Sequence, residues 1–165
     1  FNGTDAQHFV LALRHLYTHH GGLQGVFTQA VPPQAPDLSD GLRNLRARFF
    51  ELPSAPLRTR KHVPDVDRGS AAKRVNMFLR WMVRRDKNGV DFGLWQGLAP
   101  RQLLIPLDLH SGRAARQLGL LQRTQSDWRA VQALTETLRS FDAQDPVRYD
   151  FALFGLAANE FRRGG

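Results

Sequence analysis

Apolar residues along this chain recur at steps of three and four, and no stretch alternates convincingly with period two. Such spacing stacks apolar side chains on one side of a helix and denies a half-buried strand the alternation it needs. Phe9, Val10, Leu13, Leu16 and Tyr17 make the first stripe. Thr4-Asp5-Ala6-Gln7 would open that helix as a capping box, and Gly21-Gly22 would stop it. Leu23, Val26, Phe27 and Ala30 suggest a short second helix, followed by a proline-rich link over 31–36. Ser39 is placed to cap a third, with Leu42, Leu45 and Phe49 along one face. The most apolar helix is predicted from Gly69-Ser70 to about Arg85. Its buried face would be Ala72, Val75, Leu79, Met82 and Val83, widened by Phe78 and Trp81, with Lys73, Asn76, Arg80 and Arg84 on the opposite polar stripe.

Further along, Leu94 to Leu98 read as a helical turn ended by Pro100. Leu103-Leu104-Ile105-Pro106-Leu107 is an extended apolar run whose proline argues against a central strand. Asp108 stands where an N-cap belongs, ahead of a helix over His110 to Leu118 that Gly119 closes. Trp128, Val131, Leu134 and Leu138 stripe the next helix. Asp145-Pro146 start the last, where Val147, Phe151, Phe154, Ala158 and Phe161 repeat. The pattern predicts an all-α helical bundle forming one domain over 1–165, with Leu79, Met82, Phe151 and Phe154 buried.

The sequence has no apolar run of the ~18–20 residues that a membrane-spanning helix requires. It contains no cysteine, which excludes disulfides, cysteine-ligated iron–sulfur clusters and cysteine nucleophiles, and suits a reducing cytoplasm. No cofactor is expected. Phe1-Asn2-Gly3 reads like the interior of a longer protein, so a preceding part is expected. The net charge of +8 favours an anionic partner, with DNA or RNA the first candidate and a merely basic surface the plain alternative. Of the 23 basic residues only Lys61, Lys73 and Lys87 are lysines. A lysine in an arginine-rich chain can mark a place where an amine must lose its proton, which arginine cannot do.

Lys73 falls in the first turn of its helix, where the positive end of the dipole and nearby Arg74 and Arg80 disfavour a further positive charge. Asp108, at another helix N-terminus, is a carboxylate favoured in its ionised form. An amine and a carboxylate in one cleft suit nucleophilic substitution at a sugar carbon, where positive charge develops. The plain alternative is a solvated helix lysine and a structural N-cap.

Arg58, Arg60 and Lys61, in the irregular stretch over 53–68, are candidates for phosphate contact. Trp95, between the two candidate catalytic residues, is placed to stack on a flipped base. His8, His15 and His19 share one face of the first helix, but no carboxylate or cysteine accompanies them in sequence, and no metal site is expected.

Lys73-Arg74-Val75-Asn76 resembles the Lys-x-x-Asn that opens a helix in the helix-hairpin-helix DNA glycosylases, the endonuclease III-like superfamily. Ile105-Pro106-Leu107-Asp108-Leu109-His110 resembles that superfamily's apolar run ending in Asp-x-His. The separation of 35 residues between Lys73 and Asp108 is longer than in endonuclease III and closer to the archaeal branch that removes oxidised guanine. From Gly69 to Leu156 the chain also resembles an uncharacterised bacterial family related to these enzymes, through the stretches 73–84, 105–108 and 145–156.

The resemblance implies a base-excision DNA glycosylase with AP-lyase activity, acting on a flipped-out damaged base in duplex DNA. Lys73 would be the nucleophile and Asp108 the carboxylate that activates it and stabilises the sugar cation, while Arg74, Asn76, Arg80 and His110 would join the DNA-binding surface. Three features depart from the glycosylase pattern, one being that the cluster cysteines of endonuclease III are absent. The hairpin that usually reads Leu-Pro-Gly-Val-Gly has its nearest echo in Val63-Pro64-Asp65-Val66-Asp67, too far upstream and acidic, and the superfamily's N-terminal helices have no counterpart. The rival readings are a non-catalytic helical DNA- or RNA-binding module and a structural protein-interaction domain.

Overall fold

The computed structural model describes residues 1–87 and 89–163, with side chains described up to 156. The stripe positions Ala158 and Phe161 lie outside the described side chains. The protein is all-helical: among the described residues there is no β-strand, and one isolated bridge joins Arg85 to Phe92. The chain divides into two compact units, 1–68 and 69–165.

The first unit packs α1 (Gly3–His19), α2 (Gly22–Ala30) and α3 (Ser39–Phe49) against one another. Its core is Ala12 and Leu16 from α1, Val26 and Phe27 from α2, and Leu42, Leu45 and Phe49 from α3. Gly41 lets α3 approach α2, since a Cβ there would stand 2.3 Å from the Phe27 ring. The capping box of α1 starts at Asn2 and not at Thr4: Asn2 Oδ1 accepts from the Asp5 N–H at 3.1 Å, and the Asn2 N–H donates to Asp5 at 2.9 Å. Asp5 prevails at this position because it is also fully buried against Thr59, whose hydroxyl donates to it at 2.8 Å. Val10, Leu11, Leu13 and Tyr17 face outward along α1. Part of the basic stretch expected to be irregular is a 3-10 helix over Leu57–His62.

The second unit contains α4 (Lys73–Val83), α5 (Leu109–Gln117), α6 (Trp128–Phe141) and α7 (Asp150–Arg163), with short 3-10 turns at Pro100–Gln102 and Pro146–Tyr149. Residues 94–98, expected as a helical turn, are not helical. The stripe of α6 is buried as its spacing predicts: Trp128, Val131, Leu134 and Leu138 are at most 5% exposed. Leu103 to Leu107 runs extended through the core, anchored where the Ile105 N–H donates to the Thr135 hydroxyl at 3.1 Å. That run leads straight into Asp108, the N-cap of α5.

Helix α4 departs most from expectation. Its buried residues are Asn76, Leu79, Arg80 and Val83, so the middle of the polar stripe points inward. The cause lies in remote acidic residues. Arg80 Nε donates to Asp91 at 3.0 Å and its Nη1 pairs with Asp150, while Arg84 reaches Asp91 at 2.7 Å and Asp145 at 2.9 Å. Buried charges are tolerated when each finds such a partner. Met82 and Val75 are only half-buried, and Phe151 and Phe154, expected in the core, are 48% and 57% exposed.

Candidate functional site

Three helices of the second unit begin around one cavity of about 260 Å³. Lys73 is the first residue of α4, Asp108 caps α5, and Asp150 is the first residue of α7. The first turns of α4 and α5 carry N–H groups without helical acceptors and the positive end of the dipole, whereas the Asp150 N–H donates to the Val147 carbonyl of the 3-10 turn before α7. Met77, Pro106, Phe151 and Phe154 supply apolar walls, and Arg80 and Ser111 complete the lining.

The approach to α4 is unusual. Gly69 has φ +87°, and Ala72, the residue before Lys73, holds φ +49° and ψ +29°, a left-handed conformation that a side chain rarely adopts. Ala72 has no side chain able to cap the helix, and the Ser70 hydroxyl accepts from its N–H at 3.3 Å. Asn76 braces the same turn by donating from Nδ2 to the Ala71 carbonyl at 3.2 Å. The sharp turn sets Lys73 at the cavity wall.

Lys73 Nζ lies 2.8 Å from Asp108 Oδ2. The other oxygen, Oδ1, accepts from the Ser111 N–H at 2.8 Å and from the Ser111 hydroxyl at 3.0 Å, which fixes the carboxylate plane. Burial pushes the Asp108 carboxyl up, but hydrogen bonds from Lys73 and Ser111 outweigh it and hold it at about 2. Asp150 goes the other way. Burial pushes its carboxyl up to about 6, aided by the negative charges of Asp108 and Asp91 and opposed by Arg80. The cavity therefore holds one firmly ionised carboxylate and one that exchanges its proton close to neutrality. The Arg80 guanidinium also lies 4.5 Å above the Phe151 ring, which holds that side chain at the cavity wall.

The remaining sequence-predicted residues are scattered. Asn76 and Arg80 are buried at 1% and 4% exposure, so they brace the site from within instead of offering a surface to phosphate. Arg74 and His110 are exposed near the starts of α4 and α5. Trp95 is half-buried and packs edge-on against Phe78, with ring centroids 5.4 Å apart. Arg58, Arg60 and Lys61 are exposed and belong to the first unit. There Arg58 reaches Asp5 at 3.5 Å, and Arg60 lies over the Phe50 ring. Sequence reasoning missed Asp150 and the wall formed by Met77, Phe151 and Phe154. The sequence starts the last helix at Asp145-Pro146, whereas a 3-10 turn fills 146–149 and moves the α-helix start to Asp150.

Fold and site together define an all-helical protein with an amine–carboxylate pair set among helix N-termini. The chain belongs to the family described as Protein of unknown function (DUF2400), which matches residues 1–159. No curated protein and no solved structure matches it. No helix among the described residues is long and apolar enough to cross a membrane.

Proposed function

We propose that this protein is a base-excision DNA glycosylase with associated AP-lyase activity, using Lys73 as nucleophile and Asp108 as the stabilising carboxylate. The observation that carries the reading is the 2.8 Å approach of Lys73 Nζ to Asp108 Oδ2 inside a cavity with apolar walls. The neutral amine attacks the anomeric carbon of a flipped nucleotide as the bond to the damaged base breaks, and the base leaves with the bonding electrons and takes up a proton. Positive charge on the sugar meets the Asp108 carboxylate, which stays ionised at any physiological pH. Ring opening gives a Schiff base. Loss of a proton from the neighbouring sugar carbon then expels the 3′ phosphate, and water releases Lys73. Asp150 lines the same cavity and is suited to accept the proton that Lys73 must lose before attack. Phe151 and Phe154 offer faces on which an extruded base can rest.

A second reading, a nucleic-acid-binding scaffold without chemistry, is favoured by the pair itself, since a lysine and a capping aspartate in contact also make a simple ion pair. Borohydride trapping separates the two. On the glycosylase reading the protein forms a reduced covalent adduct with abasic duplex DNA, and Lys73→Arg does not. Salt-sensitive DNA binding with no adduct and no cleavage across a broad panel of damaged bases would leave the scaffold reading in place.

A further inference from the structure

The C-terminal end of α1 and the segment after α3 bring together side chains with no part in the chemistry above. His15 Nε2 lies 3.4 Å from Glu51 Oε2, and His20 Nε2 lies 3.0 Å from the same oxygen. All three donor atoms fall within 4.8 Å of one another. We propose that His15, His20 and Glu51 form a binding site for a divalent transition-metal ion of the zinc class, independent of the glycosylase reading.

The donor set is two imidazole nitrogens and one carboxylate oxygen, a combination that suits borderline divalent metals. Bonds of about 2.0–2.1 Å in a tetrahedral site separate neighbouring donors by roughly 3.3 Å. The two nitrogen–oxygen separations, 3.4 and 3.0 Å, lie on either side of that value, so a modest closure of the histidines would seat the ion. In the absence of a metal, both rings must present a proton to one oxygen. Each ring can move that proton to Nδ1, freeing the Nε2 lone pair for the ion.

The surroundings support a cation. Glu51 Oε1 accepts from Arg48 Nη1 at 3.2 Å, which turns Oε2 towards the histidines and makes the carboxylate a single-oxygen ligand. His15 lies just before the last turn of α1, His20 is its C-cap, and Glu51 follows the C-cap of α3. Both helix ends therefore carry the negative end of a dipole. The backbone is anchored as well, with the His20 N–H donating to the Leu16 carbonyl at 2.9 Å and the Glu51 N–H to the Arg48 carbonyl at 3.3 Å. Glu51 is 40% exposed, which leaves a solvent-side corner for a water ligand.

Glu51 is distant in sequence from the two histidines, and the one-face pattern of His8, His15 and His19 points elsewhere. His8 is buried, hydrogen-bonded to the Phe49 carbonyl at 3.2 Å and stacked on Phe50, so it takes no part. His19, with its ring centroid 4.8 Å from that of His15, flanks the site.

The test is calorimetric titration of untagged, chelator-stripped protein with Zn²⁺, paired with Co²⁺ absorption spectra. The expected result is one saturable equivalent, weakened by more than about tenfold in Glu51→Gln and in His20→Asn, since loss of even an outer-shell partner costs that much. Bound Co²⁺ should show the intense visible bands of low coordination number. Circular dichroism checks the helix content of each variant, and His15→Asn replaces any variant that has lost it. Non-saturable binding, or saturable binding of unchanged affinity in the folded variants, overturns the proposal. Trapping activity that is absent while zinc binding persists would sink the glycosylase reading and leave this site standing.

Discussion

Replacing Asp150 by asparagine asks whether the carboxyl beside the Lys73–Asp108 pair holds a proton near neutrality. Its value in the folded protein is about 6, against an ordinary 3.8, with burial the main cause. Between those two values the folded chain binds more protons than the unfolded chain. Stability of the wild type therefore falls as pH rises through this window, and the loss is complete above about 6. The shift is about two units, and at about 1.4 kcal/mol per unit the ceiling is about 3 kcal/mol. Only 14% of the side chain is exposed, so solvent screening removes little of it. Asparagine does not titrate and keeps a carbonyl oxygen for Arg80. The stability of Asp150→Asn relative to wild type should therefore climb by about 2–3 kcal/mol between about pH 4 and pH 7 and then level off. Urea unfolding followed by tryptophan fluorescence is the assay, because Trp81, Trp95 and Trp128 all belong to the second unit. A difference that stays flat, or that falls across the window, would mean that Arg80 outweighs burial and that Asp150 is permanently ionised. Its assignment as proton acceptor would then be wrong.

Lys73→Arg should abolish borohydride trapping while leaving DNA binding within a factor of about two, because arginine keeps the charge but supplies no neutral amine; undiminished trapping would reassign the nucleophile. Asp108→Asn should lower the single-turnover rate by roughly 10²–10³. Its stability cost at pH 7 should lie at about 1–2 kcal/mol: asparagine caps helices comparably, but a carboxyl held at about 2 against an ordinary 3.8 sets a ceiling of about 2.5 kcal/mol, which the 40% exposure of Lys73 reduces. Arg80→Met should destabilise the second unit by about 3 kcal/mol in urea unfolding, the lower end for breaking a buried pair, because Arg84 still reaches Asp91 and Asp150 can take a proton. Gly69→Ala should cost about 1 kcal/mol from backbone strain alone, since φ is +87° and nothing lies within 4 Å of the added methyl.

What the sequence reveals here is what short-range physics decides. The N-cap role of Asp108 depends on residues up to Ser111, and the buried stripe of α6 depends on its own periodicity, so both are legible in the chain. The polar stripe of α4 is not, because solvent is the usual destination of arginine and the acids that draw Arg80 and Arg84 inward lie at 91, 145 and 150. The same remote pairing explains Phe151 and Phe154. Their spacing marks an apolar helix face, but with Asp150 turned to Arg80 that face lines a cavity instead of a core. Glu51 stands 31 residues from His20, so only the folded chain brings the carboxylate to the histidines.

The extended run from Leu103 to Leu107 has a consequence for how the site fails. Active-site groups carried on surface loops can lose their geometry through local opening while the rest of a protein stays intact. Asp108 has no such independence, because the five residues before it are buried and tied to α6 through Thr135. The carboxylate cannot drift from its position without pulling apolar side chains into water. On the glycosylase reading, heat inactivation should therefore coincide with melting of the second unit and not precede it. By the same token, a conservative exchange deep in this run would retune the amine–carboxylate distance as directly as a change at the site itself.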